Sequence, residues 1–386
     1  MNSRSLLAVA AAALLLTSCS ADKVKQAVTP DDPISLSASV KEDAKGVTVD
    51  TIVTADAKNG SISEATLVSS DGKSKVEGRV SGTQWVASDR LEPGTEYTFT
   101  VKGTGDDKKE GTLERTFTTE KLTLQQQTYP SVAPLKGETV GVGMPIIVTF
   151  DLPVKNKELF ERNMDVNTSQ AIEGSWSWIS DSVAHYRPKD FWPAGTKVTV
   201  NLRLNGLPAG NGIYGQQNQR VPFKIGREVI STVDIAAHRL IVRIDGKQAR
   251  SIPVSTGDNK HRTRQGTKII MEKFPKVDMD AATTGVDSED PDYYDISDVK
   301  WAMRVTNSGE FLHAAPWSSS SHGRANVSHG CTGMSTSNAN WLYQNSRRGD
   351  VVKYKNSPRG MEDQNGWTDW NVSWDDWKAG SALERG

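Results

Sequence analysis

The 386-residue chain carries 46 Lys and Arg against 47 Asp and Glu, with a pI near 6.6. No field of one sign is available to nucleic-acid phosphates or to an acidic polymer, which excludes nucleic acid as a partner. The length calls for two or three separate cores once any targeting segment is set aside.

The N-terminus opens with Arg4 and an apolar run from Leu6 to Leu16, about half of the roughly 20 residues that span a bilayer as a helix. It reads as a signal peptide over residues 1–18. Its end, Leu16-Thr17-Ser18-Cys19, resembles the bacterial lipobox. That predicts Cys19 as a lipidated mature N-terminus and an extracytoplasmic protein anchored to the outer face of the cell membrane; the plainer reading is a secretory signal with an incidental Cys19. The chain has two cysteines. With Cys19 lipidated, Cys331 has no disulfide partner, and a lone thiol in an exported protein is a candidate for chemistry. Residues 19–32 form the lipidated Cys and a polar, Pro-ended tether with a reach of roughly 45 Å at about 3.5 Å per residue.

From residue 33 to 226 the sequence is mainly β, with short alternating strands and frequent Gly, Pro, Asn and Asp turns. A turn-plus-strand repeat, Pro93-Gly94-Thr95-Glu96-Tyr97-Thr98-Phe99 and Pro193-Ala194-Gly195-Thr196-Lys197-Val198-Thr199-Val200, predicts two tandem immunoglobulin-like β-sandwiches, 33–121 and 122–226. In the copies, Tyr97, Phe99 and Val101, and Val198, Val200, Leu202 and Leu204, alternate toward a core, with last strands around Phe117 and Phe223. Both lack the Cys pair of antibody domains, and a spacer role is their default reading.

Residues 227–355 read as a third, β-rich domain that opens with a hairpin at Asp245-Gly246. The stretch from Lys276 to Asp298, rich in Asp, Gly and Ser, is expected to be a long loop serving as a lid. The extension 356–386 carries Trp367, Trp370, Trp374 and Trp377 at spacings that put all four on one helical face, for packing on the preceding domain or for stacking on sugars.

The chemistry concentrates in His313-Ala314-Ala315-Pro316-Trp317 and Ser328-His329-Gly330-Cys331. A thiol acyl-transfer centre needs a base and oxyanion donors. His313 is the candidate base for Cys331, and the Gly330-Cys331 turn offers backbone N–H groups. Read only as spacing, His313, His322, His329 and Cys331 are also a possible zinc set, though of no common pattern. His185, His238 and His261 read as hydrogen-bonded structure.

A His followed downstream by Ser-His-Gly-Cys resembles the L,D-transpeptidase (YkuD-type) catalytic domain, and the whole layout is similar to actinobacterial, mycobacterial-type lipoprotein members. The resemblance implies a peptidoglycan cross-linking enzyme without cofactor or metal, acting on stem tetrapeptides as donor and acceptor. Cys331 would form the acyl-enzyme, His313 would move the proton, and D-Ala would leave before a 3→3 link is made; carbapenems would be covalent inhibitors. It further implies that Ser328, His329 and Gly330 shape the turn around Cys331, that Met279 and Tyr294 of the lid face substrate, with Tyr293 competing for the second place, and that Trp317 lines the pocket. Two departures stand out. Thr332-Gly333 replaces the family's apolar residue and Asn, and Ala314 stands where many relatives have Gly or Ser. Alternatives are an L,D-carboxypeptidase, attachment of another amine through the same thioester, and a non-catalytic wall-binding lipoprotein.

Overall fold

A computed structural model describes residues 32–284, 287–290 and 293–384. The signal segment, Cys19 and the tether up to residue 31 lie outside the described residues.

The first sandwich packs a four-stranded sheet, in the order Ser35–Ala38, Thr54–Lys58, Gln84–Ala87, Gly78–Ser81, against a five-stranded one. In the second sheet Glu96–Gly105 runs antiparallel to Glu110–Thr119, with Tyr97 opposite Phe117. Alternation places Tyr97, Phe99 and Val101 fully inside, beside Trp85.

The second sandwich repeats the plan. Pro130–Ala133, Ile146–Phe150, Val183–Pro188 and Gly174–Trp178 make one sheet, and Thr139–Val140, Gln219–Ile225, Lys197–Leu202 and Met164–Thr168 the other. Val198 pairs with Phe223, as Tyr97 does with Phe117. The repeated turn is the same device in both copies. Gly94 and Gly195 take positive φ, and the next residue's hydroxyl folds back onto the proline carbonyl: Thr95 Oγ1 donates to Pro93 O at 3.1 Å and Thr196 Oγ1 to Pro193 O at 2.7 Å.

The third domain has two sheets. One orders Lys247–Pro253, Arg239–Ile244, Val229–Asp234, Val351–Lys355 and Gly266–Ile269. Its Asp245-Gly246 hairpin has positive φ at both residues, 48° and 76°, the requirement of a type I′ turn. The other orders Glu272–Asp280, Asp295–Arg304, Phe311–Ala314 and Thr332–Met334. Helix Thr336–Asn345, capped by Ser335, whose hydroxyl accepts the Asn338 N–H, packs Ala339 and Leu342 into the core.

Two expectations change. Much of the Lys276–Asp298 stretch is a two-stranded antiparallel ribbon rather than a loop, with Met279 opposite Ile296 and Asp280 opposite Asp295. Its charged residues, which broke the apolar pattern, sit on the wet face. The four tryptophans do not share one helix. A 3-10 turn Asp369–Asn371 holds Trp370, and a new helix, Trp374–Ala379, starts at the Ser373 cap.

The extension also reaches beyond the third domain. Trp377 Nε1 donates to Ser175 O at 3.0 Å, Trp178 N to Gly380 O at 3.0 Å, and Asp369 bonds His185 at 3.0 Å, all on the second sandwich. The Arg187 guanidinium lies 4.8–5.2 Å from the rings of Trp370, Trp374 and Trp377. Trp367 faces Arg348 at 5.1 Å. All four indoles are thus engaged with arginines in packing.

Candidate active site

Residues Phe311–Ala314 and Thr332–Met334 run parallel and adjacent, with Leu312 opposite Thr332 and His313 opposite Gly333. This pairing brings together two segments that the sequence separates. Cys331 directly precedes the second strand, and His313 lies within the first. Both line one cavity of about 300 Å³, together with Met279, Tyr294, Trp317 and Ser328.

Cys331 is 9% exposed and belongs to an apolar cluster with Met279, Val299, Ala302 and Phe311. Its Sγ lies 3.5 Å from Gly309 O. Burial pushes the thiol up to about 12, an effect that the nearby Glu310 carboxylate adds to and that Lys268 and Arg304 oppose. His313 is also buried, which drives its pKa down to about 4. At neutral pH the pair therefore rests as thiol and neutral imidazole rather than as an ion pair. A neutral ring 2.8 Å from Ala314 O through Nδ1 donates its proton to that carbonyl, which leaves the lone pair on Nε2. The orienting partner is main chain, so Ala314 in place of Gly or Ser costs the site nothing at this bond. The Trp317 ring, 55% exposed at the cavity mouth, lies at 26° to the His313 ring with centroids 5.8 Å apart.

The Gly330-Cys331 turn is closed by Ser328. Its Oγ donates to Cys331 O at 2.7 Å and accepts the Gly330 N–H at 3.2 Å. Gly330 has φ +121°, which a side chain rarely adopts. One expected oxyanion donor, the Gly330 amide, is therefore already taken by Ser328 in this structure. His329 is sandwiched between His261, at 4.5 Å, and Tyr294 of the ribbon, at 5.0 Å. Tyr294, rather than Tyr293, lines the cavity; the Tyr293 hydroxyl bonds Asp280 instead.

Gly333, one of the departures from the pattern the resemblance implies, has a close neighbour: a Cβ there would lie 2.8 Å from the Cβ of Ala315. An Asn at 333 would therefore need residue 315 or the backbone to move. His322, in the possible zinc set, contacts Ser318 Oγ at 3.5 Å. Among the described residues, no three His, Cys, Asp or Glu side chains are gathered so as to hold a metal. His185, His238 and His261 are hydrogen-bonded to Asp369, Asn326 and Asp258, at 3.0, 2.9 and 3.1 Å.

Sequence reasoning missed two groups. Ser255, Ile296 and Val327 also line the cavity; their residue types carry no signal. The second group is a buried ionic cluster of Arg264, Lys268 and Glu310. Its one trace in the sequence is a charge set in an apolar run, Lys268 before Ile269-Ile270 and Glu310 before Phe311-Leu312.

Residues 228–353 match the L,D-transpeptidase catalytic domain, and residues 44–208, across parts of both sandwiches, match a bacterial Ig domain. The chain is 36% identical over 352 residues to L,D-transpeptidase 2 of Mycobacterium tuberculosis, covering 90% of this chain and 85% of that protein. The chain belongs to the L,D-transpeptidase family. L,D-transpeptidase 1 of the same species is 34% identical over 58% of this transpeptidase and 83% of its own length. The solved structure of LD transpeptidase LdtMt1 in complex with imipenem superposes with a TM-score of 0.52 at 33% identity, over 58% of this transpeptidase and 97% of that chain.

Proposed function

We propose that this transpeptidase makes 3→3 cross-links between peptidoglycan stem peptides, through a thioester on Cys331. The observation that carries the reading is the strand pairing that puts Cys331 and His313 on one cavity beneath Met279 and Tyr294 of the ribbon. His313 Nε2 takes the thiol proton as Sγ attacks the carbonyl between the third residue and the terminal D-Ala of a donor tetrapeptide. The C–N bond breaks, His313 returns the proton to the D-Ala amine, and the acyl group stays on sulfur. A side-chain amine of an acceptor stem then attacks the thioester, giving the new amide and the free thiol. Because thiol and imidazole rest uncharged, the Nε2 lone pair of His313 is available for the thiol proton.

The apolar ribbon residues and Trp317 suit the aliphatic body of a stem peptide. Imipenem bound to LdtMt1 supports carbapenems as covalent ligands of Cys331. Attachment to the outer face of the membrane through Cys19, and work on the wall from there, belong to the same reading.

The test incubates the detergent-solubilised full chain with a disaccharide-tetrapeptide and follows products by mass spectrometry. A dimer lighter by one D-Ala is expected. Cross-linking that survives Cys331→Ala would overturn the proposal, and a tripeptide monomer without dimer would make water the acceptor.

A further inference from the structure

Beside Cys331, outside the cavity lining, lies a group of charges that the mechanism above does not use. Lys268, with a fully buried side chain, bonds one oxygen of Glu310. Arg264 bonds the other through Nη1 at 3.1 Å and through its backbone N–H at 3.1 Å. Arg264 also pairs with the half-exposed Glu362 of the C-terminal extension. Among the described residues, two cations thus serve a single buried carboxylate, and only Arg264 has a second anion.

The cluster reaches the Cys331 turn by two routes. A Cβ on Gly330 would lie 3.6 Å from both Cγ and Oε1 of Glu310. The Lys268 ammonium sits 3.9 Å from the centre of the Tyr354 ring, whose hydroxyl shares a 2.9 Å hydrogen bond with Thr332 Oγ1. Cys331 Sγ meanwhile lies against Gly309 O, one residue from Glu310. Thr263 Oγ1 completes the support by donating to Gly330 O at 2.7 Å.

We propose that Lys268 is a positioning residue for the transpeptidation: its buried ammonium, held by Glu310, supplies the countercharge for the Cys331 thiolate as it forms. A buried cation that shares its only carboxylate is under-compensated, and a negative charge developing nearby relieves it. The groups that act on Cys331 through their charge or ionisation are Glu310, Lys268 and Arg304, then Tyr354, with Tyr294 and His313 lining the same cavity. Lys268 and Arg304 are the cations among them, and Arg304 is partly engaged by Glu272 at 3.2 Å. The inference rests on the reading of Cys331 as the nucleophile.

The experiment uses the full chain carrying Cys19→Ser, so that Cys331 is the one thiol, and measures its alkylation by iodoacetamide as a function of pH. Lys268→Met leaves Glu310 with both Arg264 contacts. Well below the thiol's own titration, between about pH 7 and about pH 9, it is expected to slow alkylation about tenfold at each pH, the equivalent of about one unit. Lys268→Gln, which keeps a donor for Glu310, carries the same sign and serves if the Met variant does not fold. Lys268→Arg restores the charge and is expected to return the profile toward the parent. Adding Glu310→Leu to Lys268→Met removes the repelling carboxylate as well and is expected to bring the alkylation rate back up. A merely structural role would leave Lys268→Arg as slow as Lys268→Met and would make the double variant slower still; either result overturns the proposal. Failure of the nucleophile reading looks different, since cross-linking would then survive Cys331→Ala while the parent thiol still alkylates.

Discussion

The two sandwiches share a plan but are joined to their neighbours in opposite ways. Between the first and second the apolar cores stay separate: the Asn218 amide donates to Asp89, a side-chain hydrogen bond joins Glu92 to Asn205, and Gly206 lies against the Val49 carbonyl. Between the second sandwich and the catalytic domain the two cores merge. Ile269 and Val351 of the catalytic sheet lie in the same apolar cluster as Val142, Met144 and Phe150. Gly141 N and Gly143 N donate to Arg348 O and Gly349 O at 2.8 and 2.9 Å. The C-terminal extension straps the two together. The second sandwich is therefore part of the catalytic body, and the first is an appended unit.

Calorimetry of the chain tests that contrast directly: two transitions are expected, a smaller one for the first sandwich and a larger one for the fused pair. One cooperative transition would break it. Gly141→Val should have the largest effect, because a Cβ at 141 would lie 2.2 Å from Asp350 N and 2.3 Å from the Gly349 carbonyl carbon. A backbone clash at a fused core is expected to cost more than about 4 kcal/mol in the larger transition, with the smaller one unmoved. Trp377→Ala empties a buried site on the second sandwich and should lower the same transition by about 3–5 kcal/mol.

Asp350, buried at this junction with Oδ1 unpartnered, has its pKa raised to about 7 by burial. The folded protein thus holds a proton that the unfolded chain releases near pH 3.8. Its contribution is full below about pH 4 and is lost as pH rises through about 7, up to about 4 kcal/mol in all. Asp350→Asn keeps an acceptor for the Arg347 N–H and should flatten that fall, so that the variant gains on the parent at pH 8; an unchanged pH dependence would refute the assignment. The smallest effect is expected at the other joint. Asn218→Ala should cost under about 1 kcal/mol, seen only in the smaller transition, with cross-linking rates unchanged.

The sequence made much of this readable because local rules and the tertiary structure agreed. Tyr97, Phe99 and Val198 alternate inward as their pattern requires, and Asp245-Gly246 turns as its chemistry requires. Cys331, His313, Met279 and Tyr294 meet on one cavity. The ribbon was not readable as strands because Lys276, Asp278 and Asp298 interrupt the apolar alternation on its wet side. The tryptophan spacing suited a helix, yet Ser373 caps a second one and resets the phase. Nor does any local rule pair Lys268 with Glu310, 42 residues away; only the merging of two sheets makes them neighbours.

The strap also sets an order of assembly. The face of the second sandwich formed by Gly174–Trp178 is closed by Trp377, some 200 positions later in the chain, and Arg264 reaches its outer partner only at Glu362. During synthesis, that sandwich emerges long before the residues that finish it. The catalytic body is completed from its last segment inward, so a chain cut short before residue 356 would lack both the cover of the sandwich and the outer partner of the charge cluster beside Cys331.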